Sequence, residues 1–360
     1  MPTPVITHTQ LGWAYQTGFV NRVNTAASFL TTLIFGGRET NLPTESAELS
    51  YREGDRLLAP FVEVNAEAVP VGSRSTIFAN VSCPNIRMKR PMEAYQAFLR
   101  RQPASGMFIQ SGSPVAAARQ AAIAEDATYM VDLVENRLEW MVAQMITDMT
   151  DGFMSLEYQS VDKANWRLRI PRSTDMDITL GTGWDDVGAA IQANFHTVKR
   201  LFSKHVSAPA RVCVMGTTAS DFFQKDAAVQ ALLDKRNISA GTLTMISQFE
   251  ESGAIFLGKV FGIDCWEYSR EYINDAGAAT PFIGAEKAVF IAGGNALSDS
   301  KVLYGAIPDH DAFDAGLFVG KRFAKTWKEP DPSVQIQLLQ TRPLPFIRQP
   351  NAIIPMDVIT

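Results

Sequence analysis

Apolar positions recur along this chain in two periods, and the longest regular run is helical. From Ile123 the residues Ala127, Met130, Val134, Leu138, Met141, Met145 and Met149 follow at spacings of four and three, which aligns them in one stripe. Ser113-Pro114 supplies a hydroxyl N-cap and a proline at the first helical position, and Thr150-Asp151-Gly152 ends the run. The pattern therefore predicts a helix over 113–150, a rod of roughly 50 Å at 1.5 Å per residue. Arg119, Glu125, Asp132, Glu135, Arg137 and Glu139 fall largely off the stripe. A second amphipathic helix is expected over 184–206, with Val187, Ile191, Phe195, Val198 and Phe202 on one face. Asp185 and Asp186 stand at its start and Lys199, Arg200 and Lys204 toward its end, as the helix dipole prefers.

Elsewhere the period is two. Alternation around Phe61 to Val64 and Ile77 to Val81, broken by Pro60, Pro70, Gly72 and Pro84, predicts a long hairpin. Its limbs are read at about 59–69 and 76–84, with 71–74 near the tip. A two-stranded ribbon is marginal alone in water, so a projecting one must pack on a partner. Strands are expected at 153–158 and 166–170. Beyond the second helix come a strand at 211–215, helices near 218–223 and 227–236, and strands at 254–261, 263–268, 281–283, 288–292 and 334–339. The class is α+β, with no internal repeat.

The first 37 residues change this picture, because Arg22 is their only formally charged residue while Trp13, Tyr15, Phe19, Phe29, Leu33, Ile34 and Phe35 are scattered through them. Such a segment is too apolar for a solvated tail. It is read as an extended arm ordered by lying on this subunit or a neighbour, the alternative being an ordinary first strand and helix.

Composition bounds the function. The 360 residues are 46% hydrophobic and 20% charged, enough for two or three packed units. A net charge of -5 argues against tight, sequence-general nucleic-acid binding. The three cysteines Cys83, Cys213 and Cys265 suit neither a disulfide framework nor a zinc set, which points to a reducing compartment. No run reaches the roughly 20 apolar residues of a membrane span, and no signal-peptide pattern opens the chain.

Motifs for chemistry are missing. His8, His196, His205 and His310 form no metal motif, since His196 and His205 are nine residues apart instead of four. Gly181-Thr182-Gly183 imitates a dinucleotide fingerprint, but Asp186 occupies the third position, so the stretch is read as a turn with Thr182 capping the following helix. Asp185-Asp186, Glu250-Glu251 and the Asp309, Asp311, Asp314 group lack the pattern of a calcium loop. No cofactor and no catalytic residue is expected. One charge feature stands out: Arg87, Lys89, Arg90, Arg100 and Arg101 follow an acidic stretch with Glu45, Glu48, Glu53, Asp55, Glu63 and Glu67. These limbs either neutralise each other within a hairpin or attract across neighbouring copies. Arg74, Arg87, Lys89, Arg90, Glu63 and Glu67 of these limbs, with Trp13 and Phe19 of the arm, are the candidate inter-subunit residues.

The order of these parts resembles the major capsid proteins of tailed bacteriophages, specifically the phage lambda major head protein E family. The resemblance covers nearly the whole chain. Its motifs are Tyr304-Gly305-Ala306-Ile307, Lys325-Thr326-Trp327, Asp331-Pro332-Ser333, Gln340-Thr341-Arg342-Pro343-Leu344-Pro345 and Pro350-Asn351-Ala352, with Leu233-Asp234-Lys235-Arg236 and Gly258-Lys259-Val260-Phe261-Gly262 in the middle. The resemblance implies an HK-ninety-seven-type (Johnson) fold. An N-arm would span 1–42, an E-loop hairpin 43–110, a spine helix with peripheral-domain strands 113–177, an axial domain 178–329, and a C-terminal return to the peripheral domain 330–360. It further implies pentamers and hexamers in an icosahedral shell around packaged double-stranded DNA, built in the host bacterial cytoplasm. A separate scaffolding protein, a portal and a decoration protein would be partners. The alternatives are an α/β enzyme without a readable motif, or another phage structural protein such as a tail-tube subunit.

Overall fold

The computed structural model describes residues 13–23, 28–52, 76–93, 113–149, 152–159, 165–186, 188–230, 252–310, 317–331 and 334–359. Five helices are named here: α1 (Trp13–Val20), α2 (Phe29–Phe35), α3 (Ser113–Thr147), α4 (Ile191–His205) and α5 (Thr217–Lys225). The strands of the first half are β1 (Glu39–Asn41), β2 (Ser46–Arg52), β3 (Thr76–Ser82), β4 (Ile86–Glu93), β5 (Phe153–Gln159), β6 (Asn165–Pro171), β7 (Ile178–Thr179) and β8 (Ala210–Met215). Those of the second half are β9 (Ala254–Val260), β10 (Ile263–Tyr268), β11 (Glu271–Ile273), β12 (Ala279–Pro281), β13 (Lys287–Ala292), β14 (Lys301–Tyr304), β15 (Phe323–Glu329), β16 (Val334–Thr341), β17 (Pro343–Phe346) and β18 (Ile353–Asp357).

A mixed sheet in the order β7-β18-β13-β8-β10-β9 forms the largest layer. Its inner strand β13 carries Ala288 to Ala292, all buried, the near-continuous apolar run of a strand covered on both faces. α4 packs its predicted face on this layer: Ile191, Phe195, Val198 and Phe202 are all buried. The Phe195 ring is the hub, with Phe290 at 5.1 Å, Phe261 at 5.5 Å, Phe223 at 5.8 Å and Trp184 at 6.4 Å. Cys213 and Cys265 face each other across β8 and β10 inside this layer, and all three cysteines are buried and free.

A second sheet, β15-β16-β4, joins residues far apart in sequence. A third, β1-β14-β17, and the ladders β2-β3, β5-β6 and β11-β12 complete the strands. α3 runs between these units. Its predicted stripe is buried from Ala127 to Met145, and one continuous core links α2, α3, the β5-β6 ladder and the six-stranded sheet.

Several expectations need correction. The described part of the N-terminal segment is helical instead of extended, and it lies on this chain: Phe29, Leu30, Ile34 and Phe35 of α2 belong to the main core. Gly36, in the left-handed region at φ 55, ends α2 with its N–H bonded to Thr32 O. The first hairpin limb seen is Ser46–Arg52, paired with Thr76–Ser82, whereas 59–69 and the tip at 71–74 lie outside the described residues. α4 starts at Ile191 instead of Trp184, so Thr182 does not cap it. There Asp186 Oδ2 accepts a hydrogen bond from Gly183 N at 2.9 Å and Trp184 N donates to Val358 O at 2.6 Å, fastening a turn before the helix can begin. The strand expected at 281–283 is β12, ending at Pro281. Only 227–230 of the helix expected near 227–236 falls among the described residues.

Two segments cross the expected partition. β15, counted with the 178–329 unit, pairs with β16, which also pairs with β4. β18, counted with a return to the strands near 153–170, pairs instead with β13 and β7 of the six-stranded sheet.

Glu139 was not legible as a buried group, yet it is fully buried on α3. Its carboxylate accepts hydrogen bonds from Leu30 N at 2.7 Å, Thr31 N at 3.0 Å, Thr31 Oγ1 at 2.7 Å and Tyr268 Oη at 3.1 Å. It therefore caps the first turn of α2 from a different helix while tying β10 to α3. Replacing Glu139 with Ala strands these donors and is expected to cost about 2–4 kcal/mol in urea unfolding. Limited proteolysis should show faster loss of the segment before residue 38, and Glu139→Gln should recover part of both effects.

Candidate inter-subunit surface

The candidate residues divide into those exposed at the surface and those already used inside the chain. Trp13 is used inside: its ring sits 5.8 Å from Phe323 and 6.5 Å from Phe318, forming a small satellite core. One turn on, Thr17 Oγ1 donates to Ala324 O and accepts from Ala324 N, both at 3.0 Å, so α1 docks on the β15 backbone. Asn21 Nδ2 donates to Arg322 O at 3.1 Å and Arg322 Nη1 donates to Val20 O at 3.2 Å. The other face of α1 stays open, with Tyr15 57% and Phe19 37% exposed.

The basic strand β4 divides in the same way. Arg90 pairs with Asp126 of α3 at 3.0 Å and lies 5.0 Å over the Tyr129 ring. Asp126 is itself 2% exposed, so this pair belongs to the fold. Arg87 and Lys89 are exposed, and no described residue offers either a carboxylate. Glu63, Glu67 and Arg74 lie outside the described residues.

The base of the β2-β3 ladder is held firmly. Arg342, 7% exposed, donates to Cys83 O at 3.3 Å and Ala306 O at 3.2 Å and pairs with Glu45 at 3.1 Å. A Cβ on Gly305 would lie 2.9 Å from Cys83 Cβ, so only glycine admits this approach. The motifs around Gly305 and Arg342 thus serve one junction, where the C-terminal strands grip the hairpin.

A hollow beside the arm collects Arg38, Glu39, Glu135, Lys321 and Arg322, the kind of convergence an enzyme would need. Its charges are spent on each other. Lys321 meets Glu39 and Glu135, Arg322 meets Glu135, and Arg38 donates to Ile34 O, Leu297 O and Ser300 O. These contacts fasten the arm. Among the described residues, no group of three or more His, Cys, Asp or Glu could hold a metal, and no helix is long and apolar enough to cross a membrane.

The family described as phage major capsid protein E matches residues 12–358. The chain belongs to that family. It is a structural protein of the phage capsid, and the enzyme reading is not favoured. The fold of this capsid protein is HK-ninety-seven-type. A putative capsid protein of a prophage from Escherichia coli CFT073 is similar at a TM-score of 0.69, with 15% identity over 97% of this chain and 99% of that one. A phage-related protein from Bordetella bronchiseptica RB50 is similar at a TM-score of 0.51, with 7% identity over 96% of each chain. No curated protein matches the sequence.

For this capsid protein, Arg90→Glu is expected to destabilise the subunit by about 2 kcal/mol or more in urea unfolding, since it confronts Asp126 with a like charge. Arg87→Glu and Lys89→Glu should stay within about 0.5 kcal/mol of the parent. The hairpin junction also sets an alkaline limit. Burial pushes the Cys83 thiol up from 9.0 to about 11, outweighing the nearby Arg342 charge and the Gly305 N–H, which favour the thiolate. The unfolded chain ionises this thiol first, so its contribution is complete below about pH 9 and is lost as the pH rises through about 11. Denaturation midpoints measured across that range should fall, and less steeply in Cys83→Ala.

Proposed function

We propose that this chain is the repeating subunit of an icosahedral head, assembling as pentamers and hexamers around the double-stranded DNA of a tailed phage. The observation that carries the reading is the capsid-family match over 12–358. The geometry supports it. An arm docked by one face leaves Tyr15 and Phe19 open, Arg87 and Lys89 lie unpaired among the described residues, and the β2-β3 ladder is anchored at its base by Arg342. Apolar and charged groups of this kind are poor monomer surface but suit a shell whose ordering costs are offset by buried intersubunit area.

On this reading 1–42 is the N-arm, 43–110 the E-loop, 113–177 the spine with peripheral strands, 178–329 the axial domain and 330–360 the C-terminal return. The strand pairings favour moving 323–329 to the peripheral unit and 353–357 to the axial one. A separate scaffolding protein, a portal and a decoration protein complete the head, which is assembled in the host bacterial cytoplasm. The net charge of -5 suits a shell that encloses DNA without gripping it.

Expression alone and with the neighbouring genes, followed by negative-stain electron microscopy and sedimentation, tests the reading. Closed shells or hexamers are expected, and a homogeneous monomer in both settings would overturn it. Replacing 53–75 with a short Gly-Ser turn keeps β2 paired with β3. It should leave a folded, soluble subunit that builds no closed shells, and normal shells would reject the E-loop assignment.

A further inference from the structure

Among the described residues, helix α3 carries an exposed ridge, flanked at Tyr129 by the Arg90 guanidinium that pairs with Asp126. Glu125, Tyr129, Leu133 and Arg137 follow at spacings of four, so they form a single row along the helix. All four are exposed, Tyr129 at 51% and Leu133 at 38%, although Val131 and Glu139 on other faces of the same stretch are fully buried. Glu125 has no ion-pair partner among the described residues. The Arg137 guanidinium lies 5.0 Å over the Trp140 ring and meets no carboxylate among them.

The order along the row is acid, aromatic, aliphatic, base. Turned end for end, it presents base, aliphatic, aromatic, acid. A second copy laid antiparallel along it sets Glu125 beside Arg137, Tyr129 beside Leu133, and repeats both pairs across a two-fold axis. That is the self-complementarity an isologous contact requires. Rows of this type run side by side when two helices cross near −50°. Each charge then lies about 9 Å along the helix from the axis, with the apolar pair between the charges.

We infer that this ridge is a two-fold contact between copies of this chain. The inference rests on the capsid reading, which supplies the second copy, and the charge order selects that occupant. Asp132, exposed beside the row and next to its midpoint, meets its own counterpart at the axis. The contact therefore contains a repulsion that keeps free subunits from pairing strongly and lets it act only when summed over many copies.

Charge exchange tests this directly. Glu125→Arg and Arg137→Glu each place like charges at both ends of the contact, and each alone is expected to lower shell yield at low salt about tenfold while circular dichroism stays unchanged. Combining them in one chain, or mixing the two single variants, restores opposite charges at both ends and should restore the yield. Asp132→Asn should raise it. Single variants that assemble like the parent would overturn the contact while leaving the capsid reading intact. Impaired singles rescued by neither the double variant nor the mixture would also overturn it, because the ridge would then face something other than itself. A parent chain that builds no shells would strike the capsid reading, and the contact with it.

Discussion

A fully buried carboxylate with no basic side chain in its hydrogen-bond set is the constraint around which this subunit is arranged. Glu139 can stay in the core because backbone N–H groups and hydroxyls from two other segments converge on it. Those donors come from the first turn of α2 and from β10, so satisfying one side chain fixes the arm and the large sheet on the long helix at once. Further bonds follow the same helix: Trp140 Nε1 to Tyr272 Oη at 3.2 Å, Arg270 Nη2 to Asn136 Oδ1 at 2.6 Å, and Lys287 Nζ to Thr147 O at 3.3 Å. The helix acts as a rail to which each unit is attached by polar bonds on one side and apolar packing on the other.

This arrangement holds the described arm and the β2-β3 ladder to the rest of the chain. The arm is bonded at Thr17, Asn21, Leu30 and Thr31, and the hairpin at Cys83 and Glu45 through Arg342. What these anchors leave over faces outward: two aromatic side chains on α1, two basic ones on β4 and a row on α3. On the proposed reading, these exposed groups are the candidates for contacts between copies.

The elements most readily read from the sequence were those whose pattern is local. The stripe from Ile123 to Met145, the proline-led start at Ser113 and the strand-like stretches 153–158 and 166–170 each report a helix or strand from neighbouring residues alone. The face of α4 was likewise evident from Phe195, Val198 and Phe202. Failures came where a distant partner overruled local preference. Trp184 to Ala190 carries helix-compatible residues, but Trp184 is bonded to Val358 and the turn closes through Asp186. The arm looked extended because its apolar residues lack a clear period, yet docking onto α3 and β15 makes it helical. Arg90 read as a member of a basic patch, and only the opposing Asp126 assigns it to the fold.

Composition, periodicity and the order of motifs therefore determined the α+β class, the long helix, the absence of a readable catalytic motif and the capsid resemblance, because each depends on neighbours in sequence or on a pattern carried by the whole chain. Tertiary structure alone decided that Glu139 is a buried cap, that Arg342 grips the hairpin, that β15 and β18 join sheets outside their sequence neighbourhood, and that one row of α3 stays open. These are facts about which groups meet across hundreds of residues, as with Thr17 and Ala324. The free energy of a buried charge or hydrogen bond is set by that meeting, and no local pattern encodes it.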